Sequence, residues 1–269
     1  MPRFAANCSI LFTEVPLLDR FARARDAGFA AVESWWPTGV DLDAFAAAIE
    51  AAGQRLVLLN LDAGDMAAGD RGFLNEPDAG ARIDANFDAA LRLAARLDRP
   101  ILHALVGNLR AGESREAQLA LVYERLRRMA ARAADEGVTL SLEAMNAADA
   151  PRYLLRTGTD VLAALDAVGA PNLVYQCDFY HLQRTEGRLV ETLRAHLDRI
   201  GHIQIADAPD RHQPGTGEIN YRYVLGALDA LGYAGYAALE YRPLGTTEES
   251  LAWLPPDRRG EIPASALNL

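Results

Sequence analysis

Eight short apolar runs, each followed by an amphipathic segment, recur along this 269-residue chain at intervals of roughly thirty residues. The apolar runs have the length of strands, and the segments between them carry apolar residues at helical spacing. The predicted strands are residues 4–10, 29–34, 56–61, 101–106, 138–144, 173–177, 200–206 and 236–240. The predicted helices are residues 16–27, 41–52, 84–97, 114–136, 159–168, 187–199, 221–231 and 247–254. Eight strand–helix pairs in a chain of this length predict an α/β fold, a (β/α)8 barrel.

The first strand–helix connection argues against an open doubly wound sheet, the other common arrangement of alternating strands and helices. Such sheets usually carry a glycine-rich turn after the first strand, whereas the connection here is Thr13-Glu14-Val15-Pro16. No stretch has the composition of a linker between two domains. We therefore predict a single barrel domain over residues 1–254 and a surface C-terminal extension over residues 255–269.

The chain is acidic, with a formal net charge of −10. This charge disfavours nucleic acids and anionic membranes as partners. No apolar run reaches the length of a membrane span, and Met1-Pro2-Arg3-Phe4 leads directly into the first predicted strand. We therefore expect a cytoplasmic protein with no nucleic-acid or membrane partner. The exposed helices of barrels commonly pair, so a homo-oligomer is a further expectation.

The basic side chains are all arginines, because the sequence contains no lysine. Schiff-base chemistry and pyridoxal phosphate anchored through lysine are therefore excluded. Any carbonyl chemistry must use a metal, an acid/base pair or both. The two cysteines, Cys8 and Cys177, lie inside apolar runs, which predicts reduced, buried packing residues.

Oxygen-bearing side chains stand at the ends of the last four predicted strands: Glu143, Asp178, Gln204 and Glu240. The C-terminal strand ends of a barrel meet at the face that carries the catalytic groups. Period-two alternation turns these four side chains inward and their apolar neighbours outward. Three carboxylates and one amide oxygen suit Mg²⁺ or Mn²⁺. A carboxylate at a strand end is often simply exposed, so from the pattern alone both a shared metal and four unrelated polar residues remain open.

Two motifs in the second half of the chain are more specific than the strand pattern. Asp-x-Tyr-His begins at Asp178, and Pro-Gly-Thr-Gly-Glu-Ile-Asn ends at Asn220. Together with residues 3–7 and 60–72, they resemble the hydroxypyruvate isomerase family, which belongs to the xylose isomerase-like barrels. The resemblance extends over about residues 3–254.

The resemblance implies a divalent metal, Mg²⁺ or Mn²⁺, held by Glu143, Asp178, Gln204 and Glu240, the same set that alternation selects. It also implies that Glu143 and Glu240 form the acid/base pair. Moving a carbonyl to the neighbouring carbon requires a proton to leave one carbon and another to reach its neighbour, which two carboxylates can accomplish. The implied reaction converts hydroxypyruvate into tartronate semialdehyde through an enediolate.

A small anionic keto acid needs positively charged or hydrogen-bonding groups around its carboxylate. Arg71, His181 and Arg211 are candidates on the loops after the third, sixth and seventh predicted strands, and Asn60 lies near the end of the third strand. For the two arginines, the alternative is an ion pair that fixes a loop, with Asp65, Asp70, Asp207 or Asp210 as the partner.

Three further polar residues fall on predicted strands. Glu33 is a weaker candidate for substrate contact, and we favour a salt bridge for it. His103 and His202 are assigned to the core or to the support of the site.

Three loops depart from the family pattern on the side where substrate would bind. They are Glu33-Ser34-Trp35-Trp36-Pro37, Asp65-Met66 and Ala144-Met145-Asn146-Ala147-Ala148. The substrate is therefore open between hydroxypyruvate, a 2-oxo-tetronate and a keto-sugar. An endonuclease-like or dehydratase-like member of the superfamily is another alternative. Phosphodiester chemistry usually requires a basic surface and more histidines than this, to hold several metal ions. The sequence has only five histidines and a net charge of −10. A non-catalytic binding barrel has no positive sign in the sequence.

Overall fold

The computed structural model describes residues 3–256 and residue 259. Eight parallel strands pair in chain order and close into a barrel, with the last strand paired to the first. The strands are β1 Arg3–Asn7, β2 Ala31–Ser34, β3 Arg55–Asn60, β4 Ile101–His103, β5 Leu140–Leu142, β6 Leu173–Asp178, β7 Ile200–Ile205 and β8 Tyr236–Leu239. The predicted barrel is confirmed.

Helices connect the strands around the outside of the barrel. They are α1 Leu17–Asp26, α2 Leu42–Ala51, α3 Gly80–Arg96, α4 Arg115–Asp135, α5 Gly158–Val168, α6 Phe179–Gln183, α7 Leu189–His196, α8 Tyr221–Ala230 and α9 Thr247–Ser250. Single 3₁₀ turns lie at Pro77–Ala79 and Leu197–Arg199. Ser114 caps α4, as predicted, by accepting a hydrogen bond from the backbone N–H of Ala117 at 3.1 Å.

The elements differ from the sequence prediction mainly at their ends. β4 and β5 are shorter than predicted, with three residues each. The short helix α6 was not predicted. Asp178 begins it by accepting a hydrogen bond from the backbone N–H of Tyr180 at 2.8 Å. Five residues are too few to show a helical period, so the sequence pattern could not reveal this helix.

The apolar core lies mainly between the strands and the surrounding helices, where Phe21, Phe45 and Phe87 are fully buried. The inside of the barrel is narrower and holds a small cluster of Ala5, Ala31, Val57 and Ala238. Two residues further along β1 and β2, and just past the end of β8, the buried polar side chains are Asn7, Glu33 and Glu240. The barrel interior is therefore apolar at its base and polar at the carboxyl ends of the strands.

The loop after β3 is fixed to α4 by one buried arginine. Arg125 donates hydrogen bonds to the backbone carbonyls of Phe73, Leu74, Glu76 and Pro77 at 2.7 to 3.2 Å. The guanidinium has several donors in a fixed plane, so a single side chain can hold four carbonyls. This anchor sets the path of the loop that carries Arg71.

The C-terminal extension predicted over residues 255–269 lies largely outside the described residues. Arg259 is buried and donates to the backbone carbonyl of Leu254 at 2.9 Å. Across residues 3–256 and 259, no helix combines the length and the apolar character that crossing a membrane requires.

Candidate active site

The four residues predicted as metal ligands lie on four successive strands or directly after them. Asp178 ends β6 and Gln204 lies in β7, whereas Glu143 and Glu240 follow the last residues of β5 and β8. Each of the four residues is at most 4% exposed. Asp178 and Gln204 are direct partners in the β6–β7 register. The barrel therefore brings the four to its polar face, while their role as ligands stays a prediction.

Glu143, Asp178 and His181 form the most compact part of the site, with one potential ligand atom from each lying within 4.8 Å of the others. His181 Nε2 is 3.7 Å from Asp178 Oδ2 and 4.0 Å from Glu143 Oε1. The backbone N–H of Asn146 donates to His181 Nδ1 at 3.2 Å. This assigns the proton of the neutral ring to Nε2, which then faces the carboxylates as a donor.

The pKa values of these groups are shifted by burial. Burial and the nearby Arg211, Arg184 and Arg71 hold the pKa of His181 well below its usual range, so the ring is neutral. Burial, followed by the charges of Asp178 and Glu240, raises the pKa of Glu143 well above its usual range. Glu143 Oε1 is buried without a hydrogen-bond partner in the described part of the chain.

Arg211 links Asp178 to Glu240. Its Nη2 lies 2.7 Å from Glu240 Oε2 and 3.3 Å from Asp178 Oδ2. The arginine therefore pairs with the carboxylates of the site, and neither Asp207 nor Asp210 is its partner. Arg211 has a φ of 61°, in the left-handed region, so the backbone here accepts strain to direct the side chain inward.

Glu240 receives two further donors on its other oxygen. Asn7 Nδ2 lies 2.9 Å and Trp35 Nε1 2.8 Å from Glu240 Oε1. Burial nevertheless dominates and raises the pKa of Glu240 to about 7, with Arg211 acting in the opposite direction. Trp35 was not predicted as part of the site. Its spacing of two from Glu33 was the available signal, because alternate residues of a strand face the same side.

We expect the shifted pKa of Glu240 to make the metal-free protein less stable as pH rises. Between the ordinary glutamate value of 4.5 and the folded value of about 7, the folded chain binds more protons than the unfolded chain. The free energy of unfolding is therefore highest at the acidic end of this window and falls through it, by up to about 3 kcal/mol. Thermal unfolding of chelated protein between pH 5 and 8 measures the effect. Glu240→Gln should flatten the curve, and an equal slope in that variant would contradict the assignment.

The two remaining predicted substrate residues lie at the edge of this group. Arg71 donates to the backbone carbonyls of Met66 and Asp70, at 3.0 and 2.6 Å, so it holds its own loop. No aspartate side chain in residues 3–256 forms an ion pair with it. Asn60 ends β3, and its buried Oδ1 has no hydrogen-bond partner among the described residues. Asn60 lines a cavity of about 180 Å³ together with Trp35, Trp36 and Met66. Their contact with a substrate stays a prediction.

The weaker candidate Glu33 contacts a buried histidine, in place of the arginine that an ordinary salt bridge would use. Its Oε2 lies 2.7 Å from Nε2 of His202, and both side chains are buried. His103 Nε2 is 3.5 Å from Glu143 Oε2, beside the site as expected for a supporting residue.

The loop after β7 is organised by Asp207, which is 1% exposed. Its two oxygens accept hydrogen bonds from five backbone N–H groups, at 2.9 to 3.1 Å, those of Ala208, Gly215, Thr216, Gly217 and Ile219. A Cβ at Gly217 would lie 2.0 Å from the carbonyl oxygen of Ala208, so only glycine allows this close approach. The Pro-Gly-Thr-Gly-Glu sequence therefore builds a ring of donors around one carboxylate, and this ring places Arg211.

Asp207→Ala is expected to lower the free energy of unfolding by about 3–5 kcal/mol, because it leaves several buried N–H groups without an acceptor. Urea denaturation gives the value. Asp210→Ala, in the same loop but exposed, is the matched control and should change stability by less than about 0.5 kcal/mol. Similar losses in both variants would show that the hydrogen bonds to Asp207 do not hold the loop.

The donor set fits a hard divalent cation. Potential ligand atoms of Glu143 and Asp178 lie within 4.8 Å of one another. Burial raises the pKa of both groups, and the charge of Asp178 raises that of Glu143 further. A bound cation would remove this cost. Carboxylate and amide oxygens are the ligands that Mg²⁺ and Mn²⁺ accept.

The sequence and the fold of this chain are similar to those of several known proteins. Residues 21–256 match the family described as xylose isomerase-like TIM barrel. The chain is 40% identical over 258 residues to hydroxypyruvate isomerase of Escherichia coli, covering 96% of this chain and 100% of that protein. It is 38% identical over 256 residues to 2-oxo-tetronate isomerase of Pectobacterium atrosepticum, covering 95% of this chain and 98% of that protein. The crystal structure of AP endonuclease, family 2, from Brucella melitensis superposes with a TM-score of 0.91 at 38% identity, covering 96% and 100%.

Proposed function

Because the chain belongs to the xylose isomerase-like TIM barrel family, as its sequence motifs predicted, we propose that it is an isomerase that interconverts hydroxypyruvate and tartronate semialdehyde. The observation that carries this proposal is the pair of buried carboxyl groups, Glu143 and Glu240, at one end of the barrel. They follow β5 and β8, so a small substrate over Asp178 has a carboxyl group on either side. The name of the Escherichia coli relative supports the choice of substrate.

The reaction moves protons and leaves the atom count unchanged. A carboxylate takes a proton from the hydroxymethyl carbon of hydroxypyruvate, and the electrons of the broken C–H bond form the C=C bond of an enediolate. The former carbonyl oxygen then carries the negative charge. The central carbon receives a proton, the hydroxyl proton passes from one oxygen to the other, and the terminal carbon becomes an aldehyde.

The side chains divide these tasks according to their contacts. Glu240 accepts hydrogen bonds from Asn7, Trp35 and Arg211, which stabilise its ionised form, so we assign it as the base that takes the carbon-bound proton. Glu143 serves the neighbouring carbon from the opposite side. Arg211 and the Nε2–H of His181 face the developing oxyanion and the substrate carboxylate.

Glu143, Asp178, Gln204 and Glu240 would hold a Mg²⁺ or Mn²⁺ ion, which would supply positive charge to the oxygens of the enediolate when bound. We expect extensive chelation to lower turnover at least tenfold, and Mg²⁺ or Mn²⁺ to restore it. Metal content and initial rate are measured on the same samples. Full activity in protein that retains no metal would remove the cation from the proposal.

A coupled assay tests the reaction itself. Hydroxypyruvate is added, and tartronate semialdehyde is followed with a reductase and its nicotinamide cofactor. The proposal predicts turnover that depends on this chain. A chain that turns over a 2-oxo-tetronate but not hydroxypyruvate would transfer the assignment to the alternative below.

The alternative is isomerisation of a 2-oxo-tetronate or epimerisation of a keto-sugar at the same site. The cavity of about 180 Å³ beside Trp35 and Asn60 favours it, since this space adjoins the residue that contacts Glu240. A four-carbon acid or a keto-sugar extends further from the reacting carbons than hydroxypyruvate does, and this space could receive the extension. The name of the Pectobacterium atrosepticum relative also supports it. The cytoplasmic location, the homo-oligomer and the absence of nucleic-acid and membrane partners stay predictions.

A further inference from the structure

Beneath the candidate site, buried side chains form a continuous line of hydrogen bonds across the inside of the barrel. Asn7 Nδ2 lies 2.9 Å from Glu240 Oε1 and 2.8 Å from Glu33 Oε1. Gln204 Nε2 donates to the same Glu33 oxygen at 2.8 Å, and Gln176 Nε2 donates to Gln204 Oε1 at 2.8 Å. The line therefore joins Glu240 on the β8 side to Gln204 on β7 through Glu33 on β2.

Glu33 fixes the direction of this line. A carboxylate accepts hydrogen bonds and donates none, whereas a side-chain amide can present either its oxygen or its nitrogen. Gln204 must therefore turn Nε2 toward Glu33, and this turns Oε1 toward β6, the strand that ends in Asp178. Gln176 reinforces the direction, because it donates to Gln204 Oε1 and accepts from Ser141 Oγ at 2.9 Å.

We infer that Glu33 is a positioning residue, which orients the amide of Gln204 so that its oxygen, and not its N–H, faces a cation held by Glu143 and Asp178. The inference rests on the proposed function in taking Gln204 as a ligand. His202 assists by occupying the other oxygen of Glu33 at 2.7 Å.

Burial makes the orientation depend on these protein groups, and Glu33 is the member of the line that can only accept hydrogen bonds. Asn7, Glu33, Gln176, His202 and Gln204 are each at most 2% exposed, so water cannot take over a hydrogen bond that is lost. A flipped Gln204 would place its N–H groups beside a cation and turn its oxygen against Glu33, and both contacts would be repulsive.

Glu33→Gln tests the inference, because it keeps the volume of the side chain but can donate as well as accept. We expect the affinity for Mn²⁺, titrated by calorimetry, to fall about 10- to 100-fold. A second readout uses metal-free protein and ¹⁵N NMR of side-chain amides. The wild type should give one set of signals for the Gln204 amide, and the variant should give shifted or doubled signals. Glu50→Gln, on the exposed face of α2, is the matched control and should change neither.

Exchanging the two side chains provides the complementary variant. In Glu33→Gln/Gln204→Glu the amide on β2 can donate to the carboxylate on β7, which still offers an oxygen toward β6. We expect Mn²⁺ affinity to recover to within about tenfold of the wild type. If Glu33→Gln does not fold, this variant decides the question.

A folded Glu33→Gln variant with wild-type Mn²⁺ affinity and unchanged Gln204 amide signals would overturn the inference, as would a folded exchange variant that binds no Mn²⁺. If the wild type itself binds no Mn²⁺, the inference is tested by the Gln204 amide signals alone, compared between the wild type and Glu33→Gln. None of these readouts requires turnover, so a wild type that binds Mn²⁺ but does not isomerise hydroxypyruvate refutes the proposed function and leaves the inference standing.

Discussion

Glu143→Gln and Glu240→Gln are each expected to lower the exchange of the substrate's carbon-bound proton with solvent by about 10³-fold or more. An amide keeps the volume of the carboxyl group but cannot take up or release the proton. The two residues should therefore fail in the same step although they lie after different strands. Proton exchange in D₂O, followed by NMR of the substrate, measures this step directly.

Glu50→Gln is the control for the same chemical change away from the site. Glu50 is exposed on α2 and pairs with Arg96, so its replacement should leave the exchange rate unchanged. Exchange at the wild-type rate in either Glu143→Gln or Glu240→Gln would show that the acid/base assignment is incorrect, provided that thermal unfolding shows the variant to be folded.

Arg211→Met is expected to reduce kcat/KM by about 10²-fold or more. The variant removes the positive charge that lies between Asp178 and Glu240, and with it the donor that we propose for the substrate. Because Arg211 lowers the pKa of Glu240, its loss should also move the rise of kcat/KM with pH to higher pH. A variant that only disturbed the loop would not produce this shift.

Variants of two other arginines are the controls. They show whether the effect comes from the charge of Arg211 or from the loss of any arginine. Arg199→Met, on the outer surface beside Asp166, should leave kcat/KM unchanged. Arg71→Met should cost less than Arg211→Met, because Arg71 donates to backbone carbonyls of its own loop. An unshifted pH profile in Arg211→Met would contradict the proposed link between Arg211 and Glu240.

The strand pattern predicted the barrel because parallel strands that alternate with helices have few ways to bury their apolar faces. It also identified Glu143, Asp178, Gln204 and Glu240 as residues of one face, since period-two alternation is a local property of the chain. The strand pattern did not predict the ends of β4 and β5 or the short helix α6, because three to five residues are too few to show a period.

The partners of the charged side chains could not be read from the sequence. Asp207 and Asp210 were the nearby candidate partners of Arg211, yet it pairs with Glu240 and Asp178, which are 29 and 33 residues away along the chain. Asp207 was one of those candidates, but its oxygens are occupied by five backbone N–H groups. The conformation of the loop determines which partner each charged side chain reaches. That conformation depends on backbone contacts such as the one between Gly217 and the carbonyl group of Ala208.

The sequence by itself determined the barrel and the set of polar residues at the ends of its strands, since both follow from local periodicity. Only the tertiary structure decided which of these residues meet. Glu33 and Gln204 are 171 positions apart, and their hydrogen bond exists because closure of the barrel brings β2 across from β7. The direction of an amide depends on its partner, and a partner across the barrel is fixed only when the chain has folded.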